Sequence, residues 1–257
     1  MALQSSGSIS LSQIQSEFGG SNPIRLSEYY KDSSPKLITD NSENASVPNF
    51  GQSISLNDFY GADKGWIIAY EIIGAGGAGG YARADDYGSG YAQSGTDSTL
   101  TGSGITTVTA VGGAGGANAN LSPSPTKPPD GEATVYGPGG VSSNNKESED
   151  NQTPGGDAPA TSYGAGGGGA GGDRSQTFDS SGGAGSPGSA GTYLTGSFSD
   201  IVPGTVITVT IGAKGVGATG QRGGGDGAGG YARLRVDGYT WVEFTADGTF
   251  TVPETPA

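Results

Sequence analysis

Proton transfer, nucleophilic attack and metal binding near neutral pH draw mostly on His and Cys, and this chain of 257 residues has neither. That removes the usual general base, the commonest zinc ligand, thiolate chemistry and disulfides. Carboxylates remain. Asp85-Asp86 and the run Glu147-Ser148-Glu149-Asp150 could offer oxygens to calcium, but neither has the alternating ligands and fixed turn glycine of an EF-hand loop. A solvated loop is the better reading of both. Pairs of Asp and Glu could also hydrolyse glycosides, yet nothing in the spacing selects a pair. Gly74-Ala75-Gly76-Gly77-Ala78-Gly79 satisfies G-x-G-x-x-G. The next residues, Gly80 to Gly88, lack the pattern of an amphipathic helix, so a pyrophosphate would have no helix terminus to sit on.

Tyrosine is the more informative residue. Tyr81, Tyr87, Tyr91, Tyr136, Tyr163 and Tyr193 lie beside or between glycine tracts, among Ser, Gly and Asn. That mixture suits recognition, because a rigid amphipathic ring gives contact area at low entropic cost. Tyr87, Tyr91 and Tyr136, each near Asp, Asn or Gln, are candidates for contact with a receptor, and Asp85, Asp86, Asn144 and Asn145 are candidates beside them. Tyr81 and Tyr231 occupy identical contexts and fit a structural role, capping the edges of the glycine tracts.

The elements that position these residues are built from glycine. Of the 52 glycines, five fall in residues 1–62 and the rest come after. Leu, Ile, Val and Phe together stay below the roughly 20% at which a conventional core becomes doubtful. The formal charge of −13 repels phosphate backbones and anionic lipid, and the 12 Lys and Arg are scattered, which argues against nucleic acid and membrane partners. The start, Met1 to Gly7, has no basic or apolar run of a signal peptide, and the apolar stretch from Trp66 to Ile73 is too short to span a bilayer.

Residues 1–62 read as a small module with short helices. Ser8-Ile9-Ser10-Leu11 recurs as Ser53-Ile54-Ser55-Leu56. Ser12 to Gln15 matches a capping box, Ile14 and Phe18 share a helical face, and Gly19-Gly20 supplies the stop. Leu26 to Tyr30 is a third short helix and Asn57 to Gly61 a single turn. So small a unit should pack against a neighbour.

Residues 63–257 repeat a strand that runs straight into glycine: Ala69–Ile73, Thr107–Val111 and Thr205–Ile211 each lead into such a tract. The inserts 81–104, 118–153 and 173–196 are polar and read as surface loops. The carboxy terminus reads as a meander punctuated by Asp237-Gly238 and Asp247-Gly248. Tracts such as Gly164 to Gly172 can be ordered only through their backbones. A bundle of extended left-handed helices would do this, three residues per turn with every N–H and C=O free for a neighbour, and glycine would permit the close approach. The alternative is a flexible linker.

The first 62 residues, through Met1 to Gly7, Glu17-Phe18-Gly19-Gly20, Leu26 to Tyr30 and Asp58-Phe59-Tyr60-Gly61, resemble the amino-terminal module of many tailed-bacteriophage tail proteins. Residues 66–252 resemble the glycine-rich domain of phage tail-fibre adhesins, through Ile72 to Gly77, Val209 to Ala213, Gly229 to Arg233 and Phe244 to Pro253. The resemblance implies a mainly irregular and β fold: an attachment module over 1–62, then an adhesin domain over 63–257 whose strands feed stacked polyglycine II helices and whose variable loops meet the host. It also implies a place in the virion tail, assembled in the host cytoplasm. The partners would be other tail proteins through residues 1–62 and a bacterial surface protein or polysaccharide through the loops, with no cofactor and no enzymatic activity. Attachment candidates are Ile14, Phe18, Leu26, Tyr29, Tyr30, Phe59 and Tyr60. A structural virion component without a receptor is the alternative, and a depolymerase a weaker third. In the family the hairpin matching Phe244 to Pro253 precedes the first strand, whereas here it comes last. Phe244 to Val252 should therefore fold back beside Trp66 to Ile73.

Overall fold

A computed structural model describes residues 3–33, 37–38, 44–63, 65–80, 92–117, 129–142, 154–170, 186–217, 223–236 and 239–253. Among them, helix is confined to the amino-terminal module, and no helix is long and apolar enough to cross a membrane.

In that module the Ser-Ile-Ser-Leu repeat sets two caps. Helix α1 spans Leu11–Phe18, and its capping box is Ser10 with Gln13. The Gln13 N–H donates to the Ser10 hydroxyl at 3.3 Å, and the Ser10 N–H donates back to the Gln13 side chain at 2.8 Å. The cap thus falls two residues before the Ser12 to Gln15 match, because Leu11 is already helical. In the second copy Ser55 caps a 3-10 turn over Leu56–Phe59 and donates its N–H to Asp58 at 2.7 Å. Gly19 ends α1 at φ 80°, a left-handed conformation that favours glycine. The capped segments bury Ile9, Ile14, Phe18, Tyr29, Ile38, Val47, Phe59 and Ala62 in one cluster, with the Phe59 ring 6.4 Å from Phe18 and 6.1 Å from Tyr29. The Leu3 N–H donates to the Ala62 carbonyl at 2.8 Å, clasping the two ends of the module together.

Among the described residues eight strands come after the module: β1 (Trp66–Ile73), β2 (Ser98–Gly102), β3 (Val108–Ala110), β4 (Tyr193–Ile201), β5 (Val206–Thr210), β6 (Tyr231–Val236), β7 (Val242–Phe244) and β8 (Gly248–Thr251). They form two antiparallel sheets, ordered β4-β1-β6-β7 and β3-β2-β5-β8. Alternate residues meet between them, Ile68, Ile72, Phe198, Leu234 and Val236 from the first sheet and Leu100, Ala110, Ile207, Val209 and Phe250 from the second.

Two expectations are corrected here. The carboxy-terminal hairpin does not lie along β1, whose two edges are already taken by β4 and β6. Instead β7 pairs with β6, and β8 crosses to the other sheet to pair with β5, Phe250 opposite Ile207. The meander is therefore broken at Asp247-Gly248; Asp237-Gly238 lies outside the described residues. The inserts are also shorter than their composition suggests. Residues 98–102 are β2, with Ser, Thr or Gly at four of five positions, and residues 193–201 are β4, with four of nine; backbone pairing and a few apolar anchors, Leu100 in β2 and Phe198 and Ile201 in β4, hold them.

Beyond the strands, the glycine tracts bond to one another through their backbones. The N–H groups of residues 74–80 keep a period of three. Gly74, Gly77 and Gly80 donate to Thr192, Ser189 and Ser186, Ala75 and Ala78 to Thr96 and Gln93, and Gly76 and Gly79 to Ala228 and Gly225. Their carbonyls accept from three further tracts, at Gly113 and Gly116, at Gly167 and Ala170, and at Gly215. This one segment is thus surrounded by six neighbours, and every N–H from Gly74 to Gly80 is satisfied by backbone. A Cβ on Gly77 would lie 2.0 Å from the Ala114 carbonyl oxygen, and one on Gly79 would lie 1.9 Å from that of Gly168. No larger residue fits there.

Candidate functional site

Two places gather residues that could meet a partner. The first is the end of the bundle away from the sheets. There Gly80 donates to Ser186, Ser186 to Ala117 and Ala170 to Gly80, so four tract ends lie side by side. The chain leaves and re-enters the bundle at these points. Asp85, Asp86, Tyr87 and Tyr91 belong to the connection after Gly80, and Asn144 and Asn145 to the one after Ser142. All six lie outside the described residues, as do Tyr81 and the acidic run Glu147 to Asp150.

The second place is the outer face of the first sheet, where the remaining receptor candidate falls. Strand alternation turns Ile68 and Ile72 inward and Glu71 outward, where β6 places Arg233 directly opposite it. One Glu71 oxygen accepts from Arg233 Nη2 at 2.7 Å, and the other accepts from the Tyr136 hydroxyl at 3.1 Å and the Tyr193 hydroxyl at 2.9 Å. Tyr136 also packs edge-on against Tyr231 at 5.0 Å, Tyr163 at 5.7 Å and Tyr193 at 6.1 Å, while Tyr163 and Tyr231 stack 4.6 Å apart. Both Arg233 and Arg235 lie over the Trp241 ring, at 4.6 and 4.9 Å.

The electrostatics arise from this geometry. Burial pushes the Glu71 carboxyl up, but the bonds from Arg233, Tyr193 and Tyr136 outweigh it and leave its pKa below the ordinary carboxylate value. Burial, then Glu71, raises Tyr136 and Tyr193. Tyr231 is pushed up to about 12 by burial, then by its bond to Glu243. With three donors on its two oxygens, Glu71 is occupied as an acceptor and works as an anchor. It fixes the 129–142 segment and two tyrosine rings against the sheet. Tyr136 is accordingly half-buried, whereas Val135 beside it is 70% exposed.

Sequence reading did not single out Glu71, Arg233 or Trp241. The available signal was an acid inside the apolar run of β1, since a charge between Tyr70 and Ile72 needs a partner. The identical heptapeptides at 77–83 and 227–233 also differ in place: Tyr231 is 3% exposed within this cluster, while Tyr81 lies outside the described residues.

The attachment candidates are mostly interior. Ile14, Phe18, Tyr29 and Phe59 form the core of the amino-terminal module, and Leu26 and Tyr60 pack against it. Tyr30 donates its hydroxyl to the Gln52 carbonyl at 2.8 Å, and its ring meets Phe50, which is 72% exposed. These residues shape the module, and a partner would meet the surface over them. No group of three or more acidic residues suited to a metal ion occurs among the described residues. No protein-family model, curated protein or solved structure matches the chain.

Proposed function

We propose that the chain is a virion tail-fibre or tail-tip protein that binds a receptor on the bacterial surface, held by residues 1–62 and presenting the connections at the far end of the glycine bundle. The single observation behind this reading is the period-three bonding of residues 74–80 to six neighbours. It is the pattern expected of polyglycine II helices, and we read the tracts as such. A bundle satisfied by its own backbone is indifferent to the sequences that join its tracts. It therefore suits a protein whose recognition surface changes while its frame does not.

Labelled protein should bind saturably to cells of a susceptible host and block adsorption of the virus. Failure to bind, in a multivalent form as well, would leave a structural virion component. The connections can be removed singly. Deleting all of 118–153 would disturb the fold, because Gly140 donates to the Gly166 carbonyl and Tyr136 anchors on Glu71. Replacing 118–128 or 143–153 with a short Gly-Ser link spares both. At least one replacement should abolish cell binding with the thermal transition unchanged, and binding that survives every one would place the receptor contact elsewhere.

A further inference from the structure

Beside the glycine tracts Lys214 pairs with Asp226, and on β6 Arg233 pairs with Glu71, each at 2.7 Å. Arg235 has no carboxylate partner among the described residues. It stands two places beyond Arg233 on the same outward face, and its guanidinium lies over the Trp241 ring, 4.9 Å from the centroid. The two acids of that face are engaged elsewhere. Glu71 accepts from Arg233, Tyr136 and Tyr193, and Glu243 accepts from the Tyr231 hydroxyl. Of the Arg235 nitrogens, Nε is the one that is both buried and unbonded, so the terminal Nη pair faces solvent. Such a pair is a planar fork that a carboxylate matches with two parallel bonds.

The ground beside this fork is low. Ala69 of β1 lies directly across from Arg235 on one side and from Ser197 of β4 on the other. Alternation turns all three outward, because Ile68, Leu234 and Phe198 are in the core. Ser197 is exposed and Ala69 partly so, and the next outward residue of β1 toward its start, Ile67, is 49% exposed. Arg235 and Ser197 are two strand spacings apart, roughly 10 Å, with a single methyl group between them. That span takes one sugar ring lying on Ala69, its acid at Arg235 and a hydroxyl at Ser197.

We propose that Arg235, Trp241, Ala69 and Ser197 form a subsite for one carboxylate-bearing sugar, a uronic acid unit of a surface polysaccharide. The anion follows from Arg235; the choice of a saccharide rests on the reading of the chain as a receptor-binding protein. An acidic peptide fits this face less well, since β1 is paired on both sides and has no free backbone edge to offer it. The net charge of −13 resists a dense polyanion, so the subsite suits a glycan whose acids are spaced.

The chain has two tryptophans, so isotope-labelled full-length protein gives two indole N–H resonances, which Trp66→Phe assigns. Titration with methyl glucuronoside should move the Trp241 resonance saturably and leave that of Trp66 in place. Methyl glucoside, which lacks the acid, and acetate, which lacks the ring, should each bind at least about tenfold more weakly. Arg235→Gln should abolish the response, and Arg235→Lys should weaken it, because an ammonium keeps the charge and loses the fork. Ala69→Leu, which raises the floor, should block the sugar with an unchanged circular dichroism spectrum. The subsite is overturned by a Trp241 resonance that does not move, by glucoside or acetate binding as tightly as the glucuronoside, or by a response that survives in folded Arg235→Gln. A glutamate-rich peptide that binds more tightly than the sugar would overturn it in favour of a protein ligand. Saturable binding of the whole protein to cells is measured separately, so a failed subsite and a failed receptor reading give different results.

Discussion

Glu71 shows how one side chain can fix several others. Its carboxylate is anionic at neutral pH and holds Arg233, Tyr136 and Tyr193 together, with its pKa depressed below the ordinary 4.5. A depressed folded-state pKa means that the unfolded chain takes up the proton first. The stabilisation is therefore complete above pH 4.5 and is lost as the pH falls through the lower folded-state value. Melting temperatures measured from neutral pH downward should show an acid-sensitive step in the wild type. Glu71→Gln should flatten that step and lower stability at neutral pH by about 1–3 kcal/mol, since Arg233 keeps its charge and loses its partner. Of this arrangement the sequence disclosed the tyrosines and their nearness to glycine tracts. It did not disclose their partner, because Glu71 and Tyr136 are 65 residues apart and meet only once the 129–142 segment has docked.

At the level of elements, each kind of segment was legible in proportion to how much its side chains decide. The strand β1 announces itself by its apolar run, β5 by apolar alternation, and α1 by its cap and by Ile14 and Phe18. β2 and β4 did not, since their sequences are largely polar and their places are set by pairing with neighbours and by one or two buried anchors. The glycine tracts form a third case, in which the absence of a side chain is the signal. Two substitutions separate the roles of glycine. A Cβ on Gly79 would stand 1.9 Å from a backbone oxygen of Gly168, which cannot yield without parting the two tracts. Gly79→Ala should cost at least about 3 kcal/mol and lower the melting temperature by on the order of 10 °C. At Gly229 an added Cβ meets nothing within 4 Å, so Gly229→Ala should leave the melting temperature close to that of the wild type. Equal effects at the two positions would mean that close packing does not hold the bundle.

At the scale of the molecule, apolar burial among the described residues falls into two main clusters that share no residue, one in the amino-terminal module and one between the sheets. Among its described residues the glycine bundle has a small alanine cluster, Ala158, Ala165 and Ala228, and is joined through backbone hydrogen bonds. The change in glycine content near residue 62 marked this division in the sequence, whereas the crossing of β8 between sheets left no local trace. Calorimetry should resolve two transitions. Phe59→Ala, which empties the space between Phe18 and Tyr29, should lower one of them by about 3–5 kcal/mol and leave the other in place. A single transition that moves as a unit would show the two parts to be thermodynamically one.

The six-neighbour bonding around residues 74–80 has a mechanical consequence. Its hydrogen bonds run across the tract, and the strands that feed the tracts enter from the same end. Tension applied to a connection at the far end is therefore directed along the tract axis, at right angles to the bonds. Such a load shears a whole row of bonds at once and cannot peel them one by one. Along that axis a bundle of small residues resists as a cable does, by sharing the load among its parallel members.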